Sequence, residues 1–225
     1  FEYEIKKDFF NFKFFDKSQN PEFSYNGKFN LKPFYSNITG KSNKLDLSPL
    51  FSSNAIIKQF LKTEILNNKN IDFNLIIDAN YIKEFDDFKN VLIKSKIKQG
   101  LIDIDQTKIT WKNNIDFEFL DSLIYVNDGK LILDSSVTIN INDTNELYKF
   151  LFTPKNLRKK INKVKINFTY LFDEKSIRVK NIIVDGVTVE KSKYTFEDIY
   201  LKENNLQNRI YFKNLLNEAI KNYAG

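Results

Sequence analysis

From Ile71 to Tyr81 every odd position is apolar (Ile71, Phe73, Leu75, Ile77, Ala79, Tyr81), while Asp72, Asn74, Asp78 and Asn80 stand between them. Successive side chains of a strand point to opposite sides, so this spacing predicts a strand with one apolar and one polar face. At about 3.4 Å per residue, positions 70–81 would span roughly 40 Å, about twice the usual strand length. After an acidic interruption at Glu84, Asp86 and Asp87, the alternation resumes at Val91, Ile93 and Ile97. Gln99-Gly100 then turns the chain into Leu101, Ile102, Ile104, Ile109 and Trp111, which completes a predicted three-strand meander.

Strand-like alternation also opens the chain, at Phe1, Tyr3, Ile5 and then Phe10, Phe12, Phe14. Asp16 to Pro21 is a turn cluster. Phe23, Tyr25 and Phe29, Leu31 flank Asn26-Gly27, which marks either a hairpin turn or a bulge in one long strand. A helix is predicted after Ser48-Pro49, or from a cap at Ser53 or Asn54, with Ile56, Ile57, Phe60, Leu61 and Ile65 forming its apolar stripe. Strands follow at Phe117–Val126 and, past the turn Asn127-Asp128-Gly129, at Leu131, Leu133, Val137, Ile139 and Ile141. Asp143 or Thr144 caps a short helix carrying Leu147, Tyr148 and Leu151, ending near Pro154. Val164, Ile166, Phe168, Tyr170 and Phe172 form a strand, and Asp173-Glu174-Lys175 turns it into Ile177, Val179, Ile183 and Val187. A last helix is predicted from Leu206 to Tyr223. It fits either docking on the sheet end or lying on a membrane surface, and its many Asn residues favour docking.

Strand, turn, strand, with an occasional helix and no crossover rhythm, predicts an α+β chain that is predominantly β. The expected architecture is one long antiparallel sheet, open and groove-like, with about three amphipathic helices. No Gly-, Ser- or Pro-rich linker divides the sequence, so residues 1–225 are read as a single domain. With no Met and a start at Phe1, it is expected to be a fragment of a longer protein.

Composition narrows the chemistry. There is no His and no Cys, which removes the usual general base, thiol nucleophiles, disulfides and thiolate metal sites. Lack of Cys fits a cytosol or a cysteine-poor periplasm equally. A net charge of +6 permits attraction to anionic surfaces, but the lysines alternate with Asp and Asn along the strands. Only 155–165 (KNLRKKINKVK) concentrates basic charge, where a solvated helix end is the plainer reading. Asp103 and Asp105 share a strand face in the way a paired-acid site would, yet they alternate with Ile102 and Ile104 as solvent-face acids do. Glu84, Asp86 and Asp87 read as a loop in preference to a cation site, and the six glycines are too scattered for a phosphate loop. Aromatic and basic residues fall on opposite strand faces, which disfavours nucleic acid as a partner.

The run IDFNLIIDAN at 71–80, FKNVLIKSKIKQGLIDIDQTKITW at 88–111, NDGKLILDSSVTINI at 127–141 and KVKINFTYLFDEKSIRVKNIIVDG at 163–186 resembles the C-terminal region of AsmA-like proteins of Gram-negative bacteria. The resemblance covers most of residues 22–190. It lies in a cadence of alternation, glycine before Leu-x-x-hydrophobic strands and Asp-bearing turns. It implies a periplasmic protein anchored in the inner membrane by an N-terminal helix outside this chain. It also implies a bent β-sheet whose apolar inner groove carries phospholipid during outer-membrane biogenesis.

The expected function is therefore non-enzymatic: shelter for the acyl chains of phospholipid or another membrane lipid. The expected groove residues are Ile71, Phe73, Leu75, Ile77, Leu131, Leu133, Val137, Ile139, Val164, Ile166 and Phe168, with no catalytic residue, metal or cofactor. The same residues would serve a closed core beneath the helices. The alternative function is a structural or scaffold module binding other envelope proteins through an unpaired sheet edge.

Overall fold

The structure is a computed structural model that describes residues 1–18, 22–47, 56–63, 67–189 and 199–200. The fourteen strands among the described residues all belong to one sheet. The first four are β1 (Glu2–Lys6), β2 (Phe9–Phe15), β3 (Phe23–Leu31) and β4 (Phe34–Leu45). Helix α1 (Ile56–Lys62) precedes β5 (Asp72–Ile82), β6 (Phe85–Lys98), β7 (Leu101–Asp103), β8 (Lys108–Trp111), β9 (Ile115–Asn127) and β10 (Lys130–Ile141). Helix α2 (Thr144–Leu151) and a 3-10 turn at Lys155–Leu157 lead to β11 (Lys163–Leu171), β12 (Ser176–Val184), β13 (Val187–Thr188) and β14 (Ile199–Tyr200). The main path runs β1-β2-β3-β4-β5-β6-β7-β9-β10-β11-β12-β13 without returning on itself, β8 bridges β6 and β9, and β14 pairs with β12.

The fold is predominantly β, as expected, with three corrections. The sheet is mixed: β4 and β5 run parallel, with Ser36 opposite Phe73 and Ile38 opposite Leu75, and residues 46–71 carry the crossover that antiparallel neighbours do not need. Strand β4 was hidden in the sequence because Ser36, Gly40 and Ser42 stand where alternation would place large apolar residues. Two helices occur among the described residues, and the helix expected over 206–223 lies outside them. Asn26-Gly27 sits inside β3, whose pairing with β2 and β4 runs through it without a shift, so the segment is one strand.

A turn placed early and two register shifts moved three other expectations. The chain reverses at Lys83-Glu84, so Asp86 and Asp87 lie inside β6. The β5–β6 register shifts between Tyr81 and Ile82. Ile82, not Tyr81, therefore joins Leu45, Ala79 and Val91 in a buried cluster, while Lys89 lies over the Tyr81 ring. A second shift at Asn167/Phe168 puts Ile182 and Val184 in the core where Ile183 was expected.

Helix α2 begins where predicted: Asp143 is its cap, its side chain accepting from the Asn145 amide at 2.8 Å. Tyr148 and Leu151 are buried against Trp111, Ile115, Ile141, Ile161, Ile182 and Val184. From α1, Leu61 packs on Leu131, Tyr170 and Phe172, whereas Phe60, expected on the same stripe, is exposed; Ile65 lies outside the described residues.

Two glycines serve ring packing. A Cβ on Gly27 would stand 2.1 Å from Phe12 Cε1, and one on Gly40 2.4 Å from Tyr25 Cδ1, so each ring lies across the glycine of the next strand. Gly27→Val is expected to push the Phe12 ring off and cost about 1–3 kcal/mol. In a Phe12→Ala background most of that cost disappears, and a urea-melt double-mutant cycle measures the coupling.

Candidate functional site: an apolar sheet face

Register fixes which residues share a face, because directly opposed side chains point the same way. Ile5 pairs with Phe10, Phe10 with Phe29, and Phe29 with Ser36. Ser36 pairs with Phe73, Phe73 with Ile97, and Ile97 with Ile102. Ile102 pairs with Ile124, Ile124 with Leu133, Leu133 with Tyr170, and Tyr170 with Ile177. One row thus crosses the sheet from β1 to β12 with Ser36 as its single polar member. Its ten steps of about 4.8 Å make roughly 48 Å.

Ten of the eleven expected groove residues lie on this face, and the eleventh, Ile71, stands one residue ahead of β5. They divide into two environments. Ile139, Val164 and Ile166 pack against the cluster under α2. Leu131, buried, with Leu133 and Phe168 beside it, belongs to the cluster that α1 touches. Val137 is buried between Phe119 and Ile166. This half is largely a closed core, the role that the same residues offered in the sequence. Phe73, Leu75 and Ile77 are only half-buried.

The more open part was not among the expected site residues. On β1–β3 the same face is aromatic: Phe10 and Phe29 stack with centroids 6.1 Å apart, Phe12 and Phe29 at 5.8 Å, Phe14 and Phe23 at 4.9 Å. Tyr3 is 65% exposed, Ile5 69% and Phe14 47%, so neither helix reaches this end. The alternation of Phe10, Phe12 and Phe14 was the available signal.

The opposite face is polar over β9–β12, and in one row of it Ser136 Oγ, Asn167 Oδ1 and Asn181 Oδ1 are buried without a hydrogen-bond partner. Asp134 accepts from Tyr125 Oη at 2.8 Å, Thr169 Oγ1 at 2.5 Å and Lys180 Nζ at 2.7 Å. Burial pushes its carboxyl up, but these hydrogen bonds, led by Lys180, and the Lys180 charge outweigh it and hold it below the usual carboxylate range. A carboxyl depressed in the folded state stabilises above its unfolded pKa, and that contribution is lost as pH falls through the folded value. Asp134→Asn is expected to cost about 1–2 kcal/mol at pH 7, reduced by its partial exposure, and to leave stability less steep below about pH 4. Urea melts at pH 7 and pH 3 measure both.

Asp103 and Asp105 are engaged by the backbone. Asp103 Oδ1 accepts from the Asp105 amide at 2.8 Å, and Asp105 Oδ1 from the Ser122 amide at 2.6 Å. The pair fixes the break between β7 and β8. Among the described residues no cluster of three or more His, Cys, Asp or Glu side chains is placed to hold a metal, and no helix is long and apolar enough to cross a membrane. The basic run 155–165 wraps from the end of α2 into β11. No protein-family model, curated protein or solved structure matches this chain.

Proposed function

We propose that this sheet is a non-enzymatic lipid-sheltering module, its apolar face holding the acyl chains of phospholipid or another membrane lipid in a groove. The observation that carries the proposal is the row from Ile5 to Ile177, apolar but for Ser36, together with the exposure of its β1–β3 end. Contiguous apolar and aromatic surface left uncovered at the β1–β3 end supports the reading of a binding surface. Removal from water at about 25 cal/mol per Å² supplies a driving force that needs no polar recognition. The resemblance to AsmA-like proteins supports the same reading, with a periplasmic location, an inner-membrane anchor supplied by sequence outside these residues, and a role in outer-membrane biogenesis.

The test is mass spectrometry of an organic extract of the natively purified chain. Phospholipid retained in near-stoichiometric amount is the expected result, and a chain that retains none after purification from lipid-rich cells refutes the proposal. A scaffold role is favoured by one other observation: all five residues of β1 are exposed, and its outer edge has no neighbour among the described residues. In that case envelope proteins, not lipids, co-purify, and Pro substitutions in β1 abolish their capture.

A further inference from the structure

Over β1–β4 the face opposite the aromatic one carries an open trough of about 590 Å³, a volume typical of small-ligand sites. Two rows of paired residues form it. Glu4 opposes Asn11, Asn11 opposes Lys28 and Lys28 opposes Asn37, while Glu2 opposes Lys13, Lys13 opposes Asn26 and Asn26 opposes Thr39. All eight line the trough, and directly opposed side chains share a face. Seven of the eight are exposed and Asn11 is half-buried, so their polar ends are within reach of a ligand. Tyr35 stands two residues before Asn37 on β4, hence on the same face, and adds a ring that is 37% exposed.

The lining is amphipathic and its charge is balanced. More of its surface is carbon than polar. Two carboxylates, Glu2 and Glu4, stand among two ammoniums, Lys13 and Lys28, so the trough gives an anion no net attraction. Glu4 is held by Lys6 Nζ at 3.0 Å and Asn11 Nδ2 at 3.1 Å, and Lys28 Nζ lies 5.2 Å from the Phe9 ring centroid. The side chains of Lys13, Asn26, Asn37 and Thr39 make no hydrogen bond or ion pair with another described residue. An ammonium, two carboxamides and a hydroxyl thus offer both donors and acceptors to a ligand. A sugar ring calls for this combination, because each hydroxyl donates and accepts while the C–H face of the ring lies on carbon. A phosphate would meet the two carboxylates, and an acyl chain would bury the amides without partners.

We propose that this trough binds an uncharged oligosaccharide whose rings run across β1–β4 and stack at the Tyr35 end. Three strand spacings of about 4.8 Å give it roughly 14 Å, room for a short run of rings. The inference does not rest on lipid binding, which uses the other face of the sheet. The experiment titrates the full chain with cellotetraose, maltotetraose and tetra-N-acetylchitotetraose in turn and follows backbone amides by NMR. Saturable shifts at 11–13, 26–28 and 35–39 are expected with at least one of the three, at an affinity that changes less than about twofold between low and high salt. The triple variant Asn26→Ala, Tyr35→Ala, Asn37→Ala is expected to bind that sugar about tenfold more weakly. A control pair outside the trough, Asn80→Ala with Asn140→Ala, leaves affinity within about twofold. Should the triple variant lose its fold by circular dichroism, Asn26→Ala with Asn37→Ala serves, since both side chains are exposed.

Absence of saturable shifts with all three sugars, equal weakening by the control pair, or a steep salt dependence overturns the proposal. So does tighter binding of dihexanoylphosphatidylcholine to the same amides, the result expected of a lipid site.

Discussion

Trp111→Ala is expected to lower stability by about 3–5 kcal/mol, the cost of emptying a large aromatic site in a core. Trp111 is 6% exposed, its ring meets Phe150 edge-on at 5.0 Å, and Lys112 lies 5.0 Å from its ring centroid. It is the residue through which α2 grips the sheet, being in one cluster with Tyr148 and Leu151. For a chain of this size such a loss shifts Tm by about 10 °C. The chain's single Trp also reports on itself. In the unaltered protein its emission is expected at the wavelength of a buried indole and should move to the red in the same transition as loss of circular dichroism. A Tm change under about 3 °C for Trp111→Ala would show that α2 contributes little to holding the sheet, and that the half read as closed core is not one.

The second large effect is on lipid. Phe29 and Leu75 lie on the apolar face of neighbouring parts of the sheet, half-buried and outside the clusters under α1 and α2. Fully burying a Leu or Phe is worth about 1.5–3 kcal/mol. Half of that from each side chain, lost in Phe29→Lys with Leu75→Lys, weakens acyl-chain binding by about 10- to 100-fold. The lysines keep much of their stems on the sheet while their charges reach water, so the fold survives. Lipid retained after purification should fall accordingly, with Tm within a few degrees of the parent. Loss of a protein partner at unchanged lipid content would instead favour the scaffold role.

The strands that could be read from sequence are those whose inner face is uniformly large and apolar. Phe73 to Ala79, Leu131 to Ile141 and Val164 to Tyr170 needed only the period of two. Strand β4 escaped because Ser36, Gly40 and Ser42 occupy its inner positions, and at Gly40 the Tyr25 ring of β3 takes the space a side chain would fill. Its parallel pairing with β5 escaped with it. Where a bulge inserts one residue, parity inverts, and so Ile82 and Ile182 displaced Tyr81 and Ile183. Most of the candidate face was legible as isolated strands. Its extent was not, because a row from Ile5 to Ile177 exists only once eleven strands are placed in register, and register between distant strands leaves no local mark. The division of that face into a helix-covered half and an open aromatic half depends on where α1 and α2 land, which periodicity does not encode.

The most direct test of a lipid-holding face compares its two sides. A photo-reactive phenylalanine analogue is placed singly at Phe29 and Phe73 on the open part of the apolar face, and at Asn74 and Lys165 on the polar face. The protein is illuminated in the cells that make it, and the adducts are identified by mass spectrometry. Phospholipid adducts from Phe29 and Phe73, and none from Asn74 or Lys165, are the predicted result. No adduct from any of the four, or equal yields from both faces, would contradict it.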